Sequence, residues 1–122
     1  DEVELGVGIH GERAPERVPF TDADGLVELL VEPLRAELDL HRGEEVLAIV
    51  NGLGGTYPLE LNLAYRALHH RLADSGISIV RRLVGSYVTS LDMHGISITL
   101  MPIGDEFRNL WDAPVRTPAL TW

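Results

Sequence analysis

The residues with the clearest chemical potential are a histidine and two glycines close to it, near the start of the chain. His10 lies between Gly8 and Gly11 in the segment 4–12, which reads ELGVGIHGE. Because glycine has no side chain, Gly8 and Gly11 leave room for a small molecule to approach the imidazole closely. A neutral imidazole has one ring nitrogen free to act as a base, a metal ligand or a nucleophile near neutral pH. The pattern predicts a reactive histidine; the structural alternative is a partly buried histidine that closes a strand end.

Two carboxylates flank this histidine, at Glu4 and Glu12. Either side chain is of a type that orients an imidazole by accepting a hydrogen bond from one ring nitrogen. Glu12 is the better placed of the two, since only one glycine separates it from His10. Solvent exposure of both carboxylates is the simpler expectation.

The second candidate segment is glycine-rich and covers residues 51–56, with the sequence NGLGGT. It lies between a predicted strand and a predicted helix, and backbone N–H groups at a helix N-terminus attract anions. Gly54 and Gly55 are therefore candidate substrate-binding residues. The segment is not a P-loop, because the Lys-Ser/Thr pair is missing. A tight turn between strand and helix is the alternative.

The third segment is polar and covers residues 89–95, with the sequence TSLDMHG. It is typical of a loop that joins two strands. Asp92 and His94 are too few to form a metal site by themselves, so no metal is predicted. The other histidines of the chain are expected to be solvated helix residues: His41, His69 and His70.

Hydrophobic periodicity predicts the elements that must position these segments. Residues 3–9 form a first strand that runs into His10, and residues 13–20 form a loop interrupted by two prolines. A helix begins at Thr21. Pro33 lies inside this helix and predicts a kink or a break. One face of the helix is apolar, with a leucine at every fourth position: Leu26, Leu30, Leu34 and Leu38.

The middle of the chain predicts a strand followed by a helix. Residues 46–50 are apolar and mostly β-branched, which is typical of a buried strand. The helix after the glycine-rich segment begins with Pro58 and ends at Gly76. Because His10 and Gly54 both follow strands, we expect them at the same end of one sheet.

Two further strands, a short helix and an extended tail complete the chain. Residues 77–87 and 96–103 alternate between apolar and polar side chains. We expect these two strands to pair antiparallel, because their connection is too short for a helical crossover. The helix covers residues 105–110. The predicted order is β-α-β-α-β-β-α, a single-domain α/β fold with helices flanking a mixed sheet.

Composition excludes several classes of function. The 122 residues suit one domain, and a formal charge of −9 disfavours a nucleic-acid or anionic-membrane partner. There is no cysteine, which rules out disulfides and cysteine-based zinc sites. No apolar run approaches the ~20 residues that a membrane-spanning helix needs.

The chain resembles the substrate-binding subunit of the dihydroxyacetone (glycerone) kinases. Four segments occur in the family's order: the His10 segment, the glycine-rich segment 51–56, TSLDM at 89–93 and WDAP at 111–114. Residues 1–122 are similar to the second, C-terminal domain of that subunit, whose first domain is not part of this chain. The chain departs from the family at Gly52, where a second asparagine is expected.

The resemblance implies that His10 anchors dihydroxyacetone covalently. An imidazole nitrogen adds to the ketone carbon to give a hemiaminal, which cannot lose water to a neutral imine because that nitrogen has no hydrogen left. The bond is therefore reversible. Glycerol lacks the carbonyl, so the bond provides a selectivity that shape alone supplies poorly. A terminal hydroxyl of the anchored ketone is then positioned to attack phosphate.

The resemblance also implies machinery outside this chain. The family's general acid–base pair and substrate loop lie in the first domain. The nucleotide, ATP or ADP with magnesium, lies on a separate subunit or domain, and ADP is rephosphorylated through a phosphotransferase subunit. The chain itself is expected to bind no cofactor, to be inactive alone, and to belong to a cytoplasmic homodimer. Two alternatives stay open: a non-catalytic dihydroxyacetone-binding sensor or coactivator, and an inert structural domain.

Overall fold

The computed structural model describes residues 1–8, 10 and 12–122, so the expectations for Ile9 and Gly11 lie outside the described residues. The predicted α/β class is confirmed, with one strand more than expected, β2, in the segment predicted as a loop. The described elements are β1 (Glu2–Leu5), β2 (Glu16–Pro19), α1 (Ala23–Glu37), β3 (Glu45–Gly54), α2 (Pro58–Asp74), β4 (Ser78–Gly85), β5 (His94–Pro102) and α3 (Asp105–Asp112).

Strands β1 and β2 form a two-stranded antiparallel hairpin of their own. The register pairs Glu2 with Pro19 and Leu5 with Glu16. A proline is tolerated at the end of such an edge strand, which is why the prolines of this segment did not prevent β2 from forming. The first strand ends at Leu5, earlier than predicted, so His10 lies in the connection between β1 and β2.

The main sheet has three strands in the order β4-β3-β5. The expected pairing of β4 with β5 is wrong, because β3 lies between them, parallel to β4 and antiparallel to β5. The connection 86–93 begins and ends at the same end of the sheet. It needs to cross only two strand spacings, roughly 10 Å, so a short loop suffices and no helical crossover is required.

Strand β3 continues through most of the glycine-rich segment. It was predicted over residues 46–50, but it pairs with β5 as far as Gly54, which lies opposite His94. Gly54 has φ +63°, and a Cβ there would lie 2.1 Å from the carbonyl oxygen of Met93. This backbone conformation and close approach require glycine. The turn into α2 is thereby reduced to the residues just after Gly54.

Helices α1 and α2 pack on each other and on the sheet to form the core. The side chain of Asp22, rather than Thr21, caps α1 by accepting a hydrogen bond from the Gly25 N–H at 2.9 Å. Pro33 lies within a single helix, so no break occurs there. Pro58 at the first position of α2 is confirmed. The buried core joins both helices to β3 and β5, and the partly buried Ile79 and Val84 of β4 pack against it. Its members are Val27, Val31, Leu40, Val46, Ala48, Val50, Leu61, Ala64, Ala67, Leu68, Leu72, Ile77 and Leu100.

Helix α3 and the tail are attached to the sheet by charged and aromatic contacts. The Arg81 guanidinium on β4 donates to the Asp112 carboxylate at 2.6 Å. Trp122 stacks on Trp111 with ring centroids 5.2 Å apart, and its indole N–H donates to the Trp111 carbonyl at 3.0 Å. The apolar end of the tail thus packs on the chain's own third helix. Among the described residues, no helix is long and apolar enough to cross a membrane.

Candidate functional site

His10 is presented to solvent by the β1–β2 connection. Its side chain is 82% exposed. The described hydrogen bonds and ion pairs of residues 1–20 all stay within that segment, as in the pair between Arg17 and Glu4 at 2.6 Å. The alternative interpretation, a partly buried histidine that closes a strand end, is therefore wrong. The imidazole is accessible to a ligand.

Glu12 folds back on the residues that precede it. Its carbonyl oxygen accepts a hydrogen bond from the Gly8 N–H at 3.2 Å, and its carboxylate accepts one from the His10 N–H at 3.1 Å. The other carboxylate oxygen lies 3.7 Å from His10 Nδ1. A Cβ on Gly8 would lie 1.9 Å from the Glu12 carboxylate. The space beside Gly8, expected to be open for a substrate, is thus occupied by this carboxylate.

The structure does not join His10 to the glycine-rich segment through one sheet. Strand β1 belongs to the hairpin, whereas β3, which carries Gly54, belongs to the main sheet. The expectation that both segments follow strands of the same sheet is therefore wrong. The reason is that β2, which sequence periodicity did not reveal, pairs with β1 in place of β3. Gly8, Gly54 and Gly55 stay predictions as substrate ligands.

A buried asparagine organises the end of the main sheet. Asn51 is 5% exposed, and its amide N–H groups donate to the Val88 carbonyl at 2.7 Å and to Ser97 Oγ at 3.2 Å. Its Oδ1 accepts the N–H groups of Tyr87 and Val88, both at 2.8 Å. All the hydrogen-bonding capacity of the side chain is used. We call Asn51, the loop 86–93 and Ser97 the Asn51 cluster.

The glycine-rich segment is bonded to the same loop. The Gly54 N–H donates to Thr89 Oγ1 at 2.9 Å, and the Gly55 N–H donates to the Met93 carbonyl at 2.7 Å. The buried hydroxyl of Thr56 donates to the Gly95 carbonyl at 2.7 Å. The N–H groups of Gly54 and Gly55 that would bind an anion are already paired, which favours the tight-turn interpretation.

Gly52 has a steric reason to be glycine in this chain. A Cβ at this position would lie 2.7 Å from Ser86 Oγ and 3.1 Å from a methyl group of Leu61. The asparagine that the family resemblance predicts here would therefore require Ser86 and Leu61 to move. The Asn51 cluster accommodates the substitution by placing Ser86 in the space beside Gly52.

The N-terminus of α2 is closed by a carboxylate. Glu60 accepts the Tyr57 N–H at 2.7 Å and lies 3.0 Å from His94 Nε2. The bond from the Tyr57 N–H, with a smaller contribution from His94, lowers the pKa of the Glu60 carboxyl below its ordinary value. No group of three or more metal-ligating side chains occurs in the part of the chain that the structure describes.

The sequence contains a signal for the role of Asn51 that lies outside the family motif. An asparagine directly follows a run of five apolar residues in a buried strand. A buried polar side chain must find hydrogen-bond partners, and the connection from β4 to β5 is the segment that supplies them. The role of Glu60 follows from its position three residues after Tyr57, the residue that directly precedes the first helical residue, Pro58.

A model of a protein family described as "Dak1 domain" matches residues 1–119 of this chain. The chain is 40% identical to the PEP-dependent dihydroxyacetone kinase, dihydroxyacetone-binding subunit DhaK, of Escherichia coli (strain K12). That match covers 100% of this chain and 41% of the subunit, so the chain spans about two fifths of the relative's length.

Solved structures similar to the chain include the following two. One is titled "Dihydroxyacetone kinase operon co-activator Dha-DhaQ", with a TM-score of 0.87 and 32% identity over 93% of this chain and 36% of that one. The other is the dihydroxyacetone kinase from C. freundii in complex with AMP-PNP and Mg2+. Its TM-score is 0.66, with 28% identity over 88% of this chain and 20% of that one.

Proposed function

The chain belongs to the Dak1 domain family, and on that premise we propose that it is the second domain of a dihydroxyacetone-binding subunit. We propose further that His10 anchors the ketone as a hemiaminal. The observation that carries the proposal is the position of His10: an 82% exposed imidazole on a glycine-containing connection, in a chain similar to a named dihydroxyacetone-binding subunit.

The anchoring step follows from ordinary imidazole chemistry. The lone pair of one ring nitrogen forms a bond to the ketone carbon, and the π pair of the C=O bond moves to the oxygen. The ring becomes cationic and the oxygen anionic. Loss of the proton from the other ring nitrogen and protonation of the oxygen give a neutral hemiaminal. No oxidant or leaving group is needed, so the step is reversible and holds the substrate without consuming it.

Phosphoryl transfer to the anchored ketone requires parts outside this chain. We propose that ATP, or ADP with magnesium that is rephosphorylated through a phosphotransferase subunit, is held on a separate nucleotide-binding subunit or domain. The C. freundii complex with AMP-PNP and Mg2+ supports a nucleotide in such kinases, and the name of the E. coli relative supports a PEP-dependent route. The proposal includes a cytoplasmic homodimer, as the family resemblance implies.

The isolated chain should be inactive as a kinase. The family's acid–base pair lies in the first domain, so the 122-residue chain would carry only the anchor and part of the pocket wall. Purified chain incubated with ATP, magnesium and dihydroxyacetone should release no phosphorylated product. Detectable product would show catalytic groups within these 122 residues and would overturn this part of the proposal.

The anchoring proposal is tested by comparing ligands and variants of the full-length subunit. Dihydroxyacetone binding is measured by titration calorimetry, with glycerol as the ligand that lacks a carbonyl. His10→Ala should weaken ketone binding and remove the discrimination against glycerol. His41→Ala is the matched control, since His41 is also exposed and carries the same functional group elsewhere. Unchanged discrimination in His10→Ala would contradict the proposal.

The second candidate function is a dihydroxyacetone-responsive coactivator without kinase activity. It is favoured by the TM-score of 0.87 with a structure titled as an operon co-activator. A kinase assay separates the two. The full-length subunit with a nucleotide-binding partner subunit phosphorylates dihydroxyacetone if it belongs to a kinase. Ketone binding without any phosphorylation would favour the coactivator.

A further inference from the structure

We infer that Glu12 is a positioning residue for His10, which selects the ring nitrogen that reacts. The inference rests on the proposed function, because it names how the same imidazole is prepared for a ketone. Glu12 holds the Nδ1–H tautomer, and Nε2 then presents its lone pair to the carbonyl carbon. A carboxylate that accepts from one nitrogen of an imidazole fixes the tautomer and orientation of the ring.

The first support is that Glu12 is bonded to both ends of the short segment that carries His10. Its carbonyl accepts the Gly8 N–H at 3.2 Å, and its carboxylate accepts the His10 N–H at 3.1 Å. The carboxylate therefore has a defined place in the connection, although 61% of the side chain is exposed. The second oxygen of the Glu12 carboxylate lies 3.7 Å from Nδ1 of His10. The same carboxylate thus contacts both the backbone and the ring of His10.

The second support is the space beside Gly8. A Cβ at this position would lie 1.9 Å from Oε2, 2.6 Å from Cδ and 2.9 Å from Cβ of Glu12. Because one of these contacts is with the Glu12 Cβ, rotation of the carboxylate end alone would not relieve the overlap. Gly8 is therefore required for the carboxylate to reach His10. Gly8 therefore makes room for the Glu12 carboxylate, whereas the sequence had suggested that it makes room for the substrate.

The separation of 3.7 Å is an ion-pair distance, longer than a hydrogen bond. Hydrogen bonds of catalytic groups are often long without substrate and shorten in the complex. The charge change during the reaction favours such shortening. When Nε2 forms the bond to carbon, the ring becomes an imidazolium, and its Nδ1–H becomes a stronger donor to the carboxylate. Glu12 thus interacts more strongly with the adduct than with the free imidazole.

The proton balance of the adduct follows from the same arrangement. The Nε2–C bond forms as the C=O π bond breaks, and the oxygen carries the negative charge. The Nδ1 proton passes to the Glu12 carboxylate, and the oxygen gains a proton from water, which leaves hydroxide in the solvent. The sum is a neutral hemiaminal with Nε2 bonded to carbon and Nδ1 accepting a hydrogen bond from the protonated Glu12 carboxyl.

The test uses ¹⁵N-histidine NMR and ketone titration on the full-length subunit. In the free protein the His10 signals, identified by their loss in His10→Ala, should show the Nδ1–H tautomer. Addition of dihydroxyacetone should shift Nε2 to the range of an alkylated nitrogen. Glu12→Gln should reduce the Nδ1–H fraction and weaken ketone binding by about tenfold, the lower end of the effect seen when a metal-ligating histidine loses the carboxylate that orients it.

Two further variants separate positioning from a general effect of charge or folding. Glu4→Gln removes the same charge from the same hairpin, where Glu4 pairs with Arg17, and should leave both measurements unchanged. Gly8→Ala keeps Glu12 but displaces its carboxylate, and it should shift the tautomer and the affinity in the same direction as Glu12→Gln.

Three results would overturn the inference about Glu12 alone. These are an adduct through Nδ1, an unchanged tautomer and affinity in Glu12→Gln, and an equal loss in Glu4→Gln. In each case a wild-type protein that forms the adduct at His10 leaves the proposed function standing. If wild-type protein shows no adduct at His10 while ketone binds with full affinity, the proposed anchor itself fails.

Discussion

The hairpin of β1 and β2 that carries His10 and the Asn51 cluster each contain a family motif, but the two motifs differ in burial and in hydrogen bonding. His10 is 82% exposed, and the described bonds of its segment stay within residues 1–20. Asn51 is 5% exposed and makes four hydrogen bonds that join β3 to the loop 86–93 and to β5. One motif presents an imidazole to solvent, and the other fixes the backbone.

The difference shows that a match to a family motif does not by itself identify chemistry. The glycine-rich segment is bonded to the loop of the Asn51 cluster: the Gly54 N–H donates to Thr89, and the Gly55 N–H donates to Met93. In the hairpin, Glu12 satisfies the backbone of His10 but leaves the imidazole accessible. Substitutions in the first region should therefore change stability, and substitutions in the second should change ligand binding.

The largest stability effect is expected for Asn51→Ala. It removes a buried side chain and with it the acceptor of two part-buried hydrogen bonds, from the Tyr87 and Val88 N–H groups, and a buried group left without its partner costs about 1–3 kcal/mol. We expect the free energy of unfolding to fall by about 3 kcal/mol, as measured by urea denaturation. Asn62→Ala is the matched control, because its amide bonds to Pro58 at an exposed position. Equal, small losses in both variants would contradict the structural role of Asn51.

A smaller effect is expected for Thr56→Val, which keeps the shape of the side chain and removes its hydroxyl. The hydrogen bond to the Gly95 carbonyl at 2.7 Å is lost at a position that is 8% exposed. We expect a loss of about 1 kcal/mol in the free energy of unfolding. Thr99→Val, at an exposed position of β5, provides the comparison and should change it by less than about 0.5 kcal/mol. Equal unfolding free energies for Thr56→Val and Thr99→Val would argue against a stabilising hydrogen bond from Thr56 to β5.

The contribution of Glu60 should depend on pH. The pKa of its carboxyl is lowered in the folded protein, first by the Tyr57 N–H and then by His94. Its stabilisation is therefore fully present above the unfolded pKa and is lost as pH falls through the lower, folded pKa. The difference in unfolding free energy between wild type and Glu60→Gln should be larger at about pH 5.5 than well below the ordinary value of 4.5. A difference that does not decrease with acidification would contradict this assignment.

The smallest stability effect is expected for His10→Ala. The exposed side chain has Glu12 as its partner, so its removal should change the free energy of unfolding by less than about 0.5 kcal/mol. Urea denaturation of His10→Ala and Asn51→Ala under the same conditions compares their losses in unfolding free energy. A loss comparable to that of Asn51→Ala would mean that the hairpin is held to the domain through His10.

Periodicity predicted the elements that bury an apolar face, because burial leaves a repeat in the sequence. The helices after Thr21 and at Pro58 and the strand from residue 46 were found in this way. Strand β2 was missed because four residues with a terminal proline show no such repeat. The order β4-β3-β5 was missed because strand periodicity does not specify neighbours. The partners of Asn51 lie 36 to 46 residues away in the chain.

The sequence shows which residue types surround His10, but it does not predict how their side chains are arranged. The sequence places Gly8, His10 and Glu12 within five residues, which suggested an approach path for a small molecule. The backbone conformation that turns the Glu12 carboxylate into the space beside Gly8 depends on torsion angles that the residue types do not specify.

A covalent bond between His10 and the ketone can be detected by ¹³C NMR, because it converts the carbonyl carbon from trigonal to tetrahedral. The full-length subunit is mixed with dihydroxyacetone labelled with ¹³C at the carbonyl carbon. We expect the signal of the bound carbon to move from the carbonyl range to the range of tetrahedral carbons in wild-type protein and not in His10→Ala. A bound ketone that stays trigonal in wild-type protein, or a tetrahedral signal that persists in His10→Ala, would contradict a covalent bond to His10.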